Sequence, residues 1–138
     1  MDFAYNDEQK EIIKVVRDLV EKEIVPYAAE MDETGKLHEG LLEKLAAQGL
    51  LGVAIPEEFG GAGLDAITIA AIYEELGKGC AGVATTVAAN ALASYPVIIA
   101  GNDDQKKRYF DIINDDNLAA FALTEPGTGS DAGSVSTR

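Results

Sequence analysis

Phe121-Ala-Leu-Thr-Glu-Pro-Gly-Thr-Gly-Ser-Asp131 is the stretch that decides how this chain is read. An apolar run beginning at Leu118 stops at Thr124-Glu125, and a turn opens with Pro126, Gly127 and Gly129. Hydroxyls at Thr124, Thr128 and Ser130 crowd the same few residues. The pattern predicts a strand over residues 118–123 that delivers its end to a loop. Glycines remove the Cβ atoms that would hold a ligand away, and they permit positive φ. Free backbone N–H groups and hydroxyls are what an anionic or carbonyl-rich cofactor needs. A Gly-x-Gly-Ser loop alone also fits an ordinary surface turn after a buried strand.

Upstream of this stretch the periodicity is helical. Asn6 can cap a helix, with Asp7 and Glu8 in its first turn and Gln9 at the capping-box position. Ile12, Ile13, Val16, Leu19, Val20 and Ile24 then recur at helical spacing. Pro26 should kink or end that run, with a short continuation toward Met31 before Gly35. A second helix is expected over about residues 39–48, with Gly49 as its C′ residue. Residues 50–55 are apolar and ambiguous, and Pro56 and the glycines after it force a loop. Asp65 is expected to cap a third helix that Gly77 and Gly79 end. A buried fourth helix is expected from Gly82 to about Ile99, and a fifth one capped by Asp103 or Asp104. The fold class that follows is mostly α: a helical domain over residues 1–117, then residues 118–138 as the start of a β domain. A lone strand cannot satisfy its own backbone groups, so the chain is expected to stop inside that second domain.

Bulk properties narrow the function. The 138 residues carry 11 Lys and Arg against 24 Asp and Glu, a formal charge of −13. That argues against a nucleic-acid footprint and against adhesion to anionic membranes. The cluster Lys106-Lys107-Arg108 follows Asp103-Asp104 and reads as a solvated helix face. Cys80, the one cysteine, fits a reducing compartment and a small apolar role. His38, the one histidine, lies far from Cys80 in sequence, so neither a nucleophile–base pair nor a transition-metal set is indicated. The amino terminus is acidic and no apolar stretch is expected to run long enough to cross a bilayer; residues 81–100 are the most apolar but include Asn90, Tyr95 and a Pro96 break, and a buried core helix is expected there. A cytoplasmic protein is the expectation.

The full word Leu123-Thr-Glu-Pro-Gly-x-Gly-Ser-Asp131 closely resembles the flavin-binding signature of the acyl-CoA dehydrogenases. Three upstream segments extend the resemblance in family order: Pro56-Glu-Glu-Phe-Gly-Gly-Ala-Gly63, Tyr73-Glu-Glu-Leu-Gly-Lys-Gly-Cys-Ala-Gly-Val83, and the run from Pro96 through Gly101 to Tyr109. The chain is most similar to the medium- and short-chain members. The resemblance implies an amino-terminal helical domain followed by a β domain and a carboxy-terminal helical domain. It implies an FAD-dependent oxidoreductase of fatty-acid β-oxidation that converts an acyl-CoA thioester to the trans-2-enoyl-CoA. A homotetramer passing electrons to an electron-transfer flavoprotein is also implied.

Residue by residue, the resemblance places Phe121, Ala122, Leu123 and Thr124 along the flavin edge. Amides near Leu123 and Thr124, with the Thr124 hydroxyl, would bond the pyrimidine part of the ring. Gly127, Gly129 and Ser130 would approach the ribityl-pyrophosphate arm, and Ser130 would also contact the acyl-CoA. Ala88, Ala89 and Leu92 would line the acyl pocket, where ordinary core packing is an equal reading. Glu125 is read as structural, because the family's catalytic base belongs to the carboxy-terminal domain; no catalytic residue is assigned within this chain. Thr128 departs from the alanine or asparagine often seen in the signature, and Tyr95 departs from what a pocket or interface position leads one to expect. Against this enzyme reading stand three others: a non-catalytic binding or assembly module, one half of a split enzyme, and a flavin monooxygenase of similar fold.

Overall fold

Helix α1, Asp7–Leu19, begins where the capping pattern puts it. In the computed structural model, which describes residues 4–113 and 117–137, the Asn6 side-chain oxygen accepts from the Gln9 amide at 2.8 Å. Gln9 returns the bond by accepting from the Asn6 amide at 3.0 Å, so two of the orphan donors of the first turn are satisfied together. The helix continues as one π-helical turn, Val20–Ile24, and a 3-10 turn, Val25–Tyr27. Pro26 supplies no N–H, so the α ladder cannot run through it unbroken. Helix α2, Ala28–Thr34, then ends on Gly35. Helix α3 spans Leu41–Ala47, a turn shorter than the periodicity suggests, and Gly49 takes φ 70 just beyond it.

The ambiguous segment after Gly49 forms short 3-10 turns, Leu50–Gly52 and Glu57–Phe59, rather than a strand or helix. Its apolar side chains are nonetheless core: Leu50, Leu51, Val53 and Ile55 are all buried. Helix α4, Ala66–Gly79, is capped by the Asp65 carboxylate, which accepts from Ile67 and Thr68 N–H at 2.9 and 3.2 Å. Gly77 lies within this helix rather than ending it. Helix α5, Ala81–Ala100, packs against α4, and helix α6, Asp103–Ile113, packs back onto α5. Asn102, not Asp103 or Asp104, caps α6: it exchanges a capping box with Gln105, both bonds at 2.9 Å.

The main core joins Val16, Val20 and Ile24 to Leu41, Leu45, Ile72, Leu76, Val83 and Val87. Each such side chain contributes about 1.5–3 kcal/mol by leaving water. A second, smaller cluster of Ile55, Phe110 and Ile113 seats α6, with Phe59 stacked on Phe110 at a ring separation of 5.1 Å. One ion pair ties α1 to α4. The Arg17 guanidinium grips Glu75 through two bonds of 2.9 and 3.0 Å, and Lys78 adds a third donor at 2.7 Å. His38 is half-buried with its ring stacked on Tyr27 at 3.5 Å, a contact the sequence did not announce. Cys80 is half-buried at the α4–α5 junction against the main core.

Two expectations are overturned here. Helix α5 is long and apolar enough to cross a membrane by length and composition alone, and only a third of it is buried. It also runs straight through Pro96. The carbonyl that Pro96 leaves without a helical partner is that of Leu92, a residue 48% exposed, where water can take the bond. The second is the strand over residues 118–123, which does not form: no neighbouring strand pairs with it among the described residues, and Leu118, Phe121 and Leu123 stand exposed. An extended apolar run becomes a strand only when a ladder partner takes its amides and carbonyls. The one bridge among the described residues joins Glu125 to Thr128.

Candidate functional site

After α6 the Asn117 side chain donates to the Ile112 carbonyl at 2.8 Å, and two residues on the chain is tied to α5 at Ala119. Its amide donates to the side-chain oxygen of Asn90 on α5 at 2.6 Å. Beyond that point, among the described residues, the amides of Phe121, Ala122, Leu123 and Thr124 have no hydrogen-bond partner in the chain. All four residues are exposed.

The next residues close on themselves. Glu125 and Thr128 exchange two backbone bonds of 3.0 Å across Pro126 and Gly127. Thr128 is buried, and its hydroxyl donates to the Ser134 carbonyl at 3.2 Å in the turn Ala132–Ser134. The Glu125 carboxylate closes the loop by accepting from the Ser136 amide and hydroxyl at 3.0 and 2.9 Å, from the Thr137 amide at 2.9 Å and from the Thr137 hydroxyl. The Thr137 hydroxyl first, then the Ser136 amide, hold the Glu125 carboxyl down at about 2. A carboxylate engaged in four bonds and ionised throughout the neutral range is a poor proton acceptor. Its place here is to shape the loop.

Neither Gly127 nor Gly129 uses the conformational freedom expected of it. Both lie outside the left-handed region, and a Cβ at either would meet nothing within 4 Å. The chain's own fold therefore does not require glycine at these positions. Gly61 is the contrast: a Cβ there would lie 2.1 Å from the Ile55 carbonyl oxygen, so the loop after Pro56 depends on its absence. Bare backbone facing open space, next to four unbonded amides and the exposed Ser130, fits a ligand that comes close and carries acceptors.

Of residues 121–130, all but the half-buried Glu125 and the buried Thr128 are exposed. Ala88 and Ala89 lie half-buried on α5, and Leu92 continues the Ala88 stripe one turn on. No hydrogen bond among the described residues joins these three directly to the loop; the link between the two groups is Asn90. Sequence reading passed over Asn90, because its partners, Leu51 and Ala119, stand 39 and 29 residues away. It also passed over the Tyr73 hydroxyl, which is buried without a partner and pushed up to about 12 by burial, with Tyr95 adding to the effect.

Residues 6–114 match the family model described as acyl-CoA dehydrogenase, N-terminal domain. A 3-(aryl)acrylate reductase of Clostridium sporogenes is 42% identical over 134 residues, which cover 94% of this chain and 35% of that protein. Among solved structures, an acyl-CoA dehydrogenase complexed with FAD from Bacillus anthracis superposes with a TM-score of 0.81 at 37% identity, over 95% of this chain and 23% of that one. A chain from a structure of the electron transferring flavoprotein of Acidaminococcus fermentans gives a TM-score of 0.87 at 33% identity, over 97% of this chain and 36% of its own. The chain spans about a third of the length of the curated relative it matches.

Proposed function

From the premise that this chain belongs to the acyl-CoA dehydrogenase family, we propose that it forms the flavin-facing and thioester-facing wall of an FAD-dependent acyl-CoA dehydrogenase. The observation that carries this reading is the run of unbonded amides at residues 121–124, leading into a self-closed loop with two bare glycines. FAD, when held here, would supply the two-electron redox chemistry for α,β-dehydrogenation of an acyl thioester.

The chain's own residues orient and polarise. The amides of Leu123 and Thr124, with the Thr124 hydroxyl, donate to the pyrimidine edge and favour negative charge there. The Phe121 and Ala122 backbone continues that edge. Gly127 and Gly129 let the backbone approach the phosphate-bearing arm, and the Ser130 hydroxyl reaches both that arm and the thioester. Ala88, Ala89 and Leu92 form an apolar wall that holds the acyl chain against the ring and keeps water out. Glu125 stays ionised and bonded to its own loop, so the proton acceptor comes from sequence other than these residues. The product is the trans-2-enoyl-CoA. An electron-transfer flavoprotein is the proposed redox partner, and a cytoplasmic homotetramer the proposed assembly. The acrylate reductase among the relatives makes the reverse, enoyl-reducing direction the natural second arm of any assay.

Intact mass of the native protein, taken with its visible spectrum, is the deciding measurement. The 94% of this 14.5 kDa chain that aligns makes up 35% of the relative, which corresponds to a subunit of about 39 kDa. A yellow protein of that mass, whose flavin band bleaches anaerobically on adding acyl-CoA, supports the proposal. A colourless protein of 14.5 kDa that takes up no FAD overturns it, in favour of a binding module or one half of a split enzyme.

A further inference from the structure

Asn90 is 1% exposed, yet it carries a full carboxamide into the core. Burying such a group is costly unless both of its ends are bonded, and an apolar side chain of the same volume avoids the cost. Both ends are bonded here, to two different segments. The Nδ2 donates to the Leu51 carbonyl at 3.1 Å, in the Leu50–Gly52 turn. The Oδ1 accepts from the Ala119 amide at 2.6 Å, where the chain departs for the loop. The Ser94 hydroxyl bonds the Asn90 carbonyl at 2.8 Å and fixes this part of α5 from behind. Among residues 118–124, Ala119 holds the one hydrogen bond of the described structure, and the run of unbonded amides begins directly after it. On the other side, Asn90 directly follows Ala88 and Ala89 on α5.

We propose that Asn90 is a positioning residue. Its carboxamide sets where segment 119–124 leaves the bundle, and so fixes the spacing between the cofactor-facing donors and the α5 wall. This role rests on the flavin reading above. The amides of residues 121–124 make no hydrogen bond within the chain, so the Ala119 anchor on α5 at one end and the Glu125–Thr128 closure at the other determine where they stand. Two surfaces that must close on one reacting carbon pair need that spacing held tightly, since misplacement by about 1 Å costs rate heavily.

The test uses the whole product of the gene and three variants. Asn90→Ala removes both bonds. Ala119→Pro removes the donated N–H, fixes φ at that residue, and keeps the Asn90–Leu51 bond. Val16→Ala, in the core far along the sequence, is the stability control. FAD affinity is measured by fluorescence titration of the apoprotein, and the freedom of residues 118–124 by hydrogen–deuterium exchange. Both Asn90→Ala and Ala119→Pro are expected to bind FAD about tenfold more weakly and to exchange faster over 118–124. Val16→Ala should lose melting temperature and keep its FAD affinity. Affinity within twofold of the parent in both latch variants would show that Asn90 serves the core alone. If Asn90→Ala does not fold, Ala119→Pro decides. An unaltered protein that takes up no FAD sinks the flavin reading and this role together, an outcome distinct from normal uptake by the variants.

Discussion

Glu75 keeps a full negative charge at 5% exposure because three donors converge on it. The Arg17 guanidinium, and then Lys78, hold its carboxyl at about 2, against an ordinary 4.5. The group is more acidic folded than unfolded. Its stabilising contribution is therefore complete above about pH 4.5 and is lost as the pH falls from there through 2. Glu75→Gln should lower stability at pH 7 by about 2 kcal/mol, a value kept modest because Arg17 is half exposed. The melting temperature should drop by about 5–10 °C at neutral pH and by much less near pH 2. Melting curves that stay parallel for the two proteins from pH 7 to 2 would refute this. At this scale, what the sequence revealed was local. Asn6 with Gln9 and Asp65 with Thr68 could be read because a cap and its donors lie three residues apart. Arg17 and Glu75 lie 58 residues apart, and nothing in either helix alone names the other as its partner.

Among the elements, the loop after Pro56 is the most tightly specified. The Gly61 amide donates to the Pro56 carbonyl at 3.2 Å, Ala62 to Gly52 at 3.0 Å and Gly63 to Ile55 at 2.9 Å, pressing Gly61 onto the Ile55 backbone. Gly61→Ala pushes a methyl group against a carbonyl oxygen that cannot rotate away. We expect a loss of about 2–3 kcal/mol, measured by urea unfolding, with α6 loosening first because Ile55 belongs to its packing cluster. Unchanged stability would mean the loop yields more readily than its bonding implies. The Pro56-to-Gly63 word could be recognised from sequence, but the reason for Gly61 could not, since it lies in a contact across six residues of folded loop. Helix positions were legible from period and caps. The strand at 118–123 was not a strand, because β-propensity describes fitness for a sheet and does not supply the neighbour.

Over the whole molecule, apolar surface is distributed unevenly. Ile99 is 81% exposed, and Leu92, Tyr95, Ile112, Phe121 and Leu123 are exposed as well, on α5, α6 and the segment after them. A groove of about 520 Å³ lined by Pro96, Val97, Ala100, Tyr109 and Ile112 lies between α5 and α6. Exposed apolar area on this scale drives association. The 138-residue polypeptide produced by itself should gain mass with concentration in light scattering, and Ile99→Lys with Ile112→Lys should suppress the gain. A monodisperse monomer at every concentration would refute the expectation. The helical fold class was legible from sequence; which face of α5 would stand open was not, because apolar residues occur all around that helix. The loop beyond it is already complete. With Glu125 closing residues 125–137 into a ring, the conformational entropy of that segment is surrendered when the chain folds, before any ligand arrives. On the proposed reading, a ligand binding there would not wait for the loop to order, and the rate of encounter would be left to diffusion and orientation.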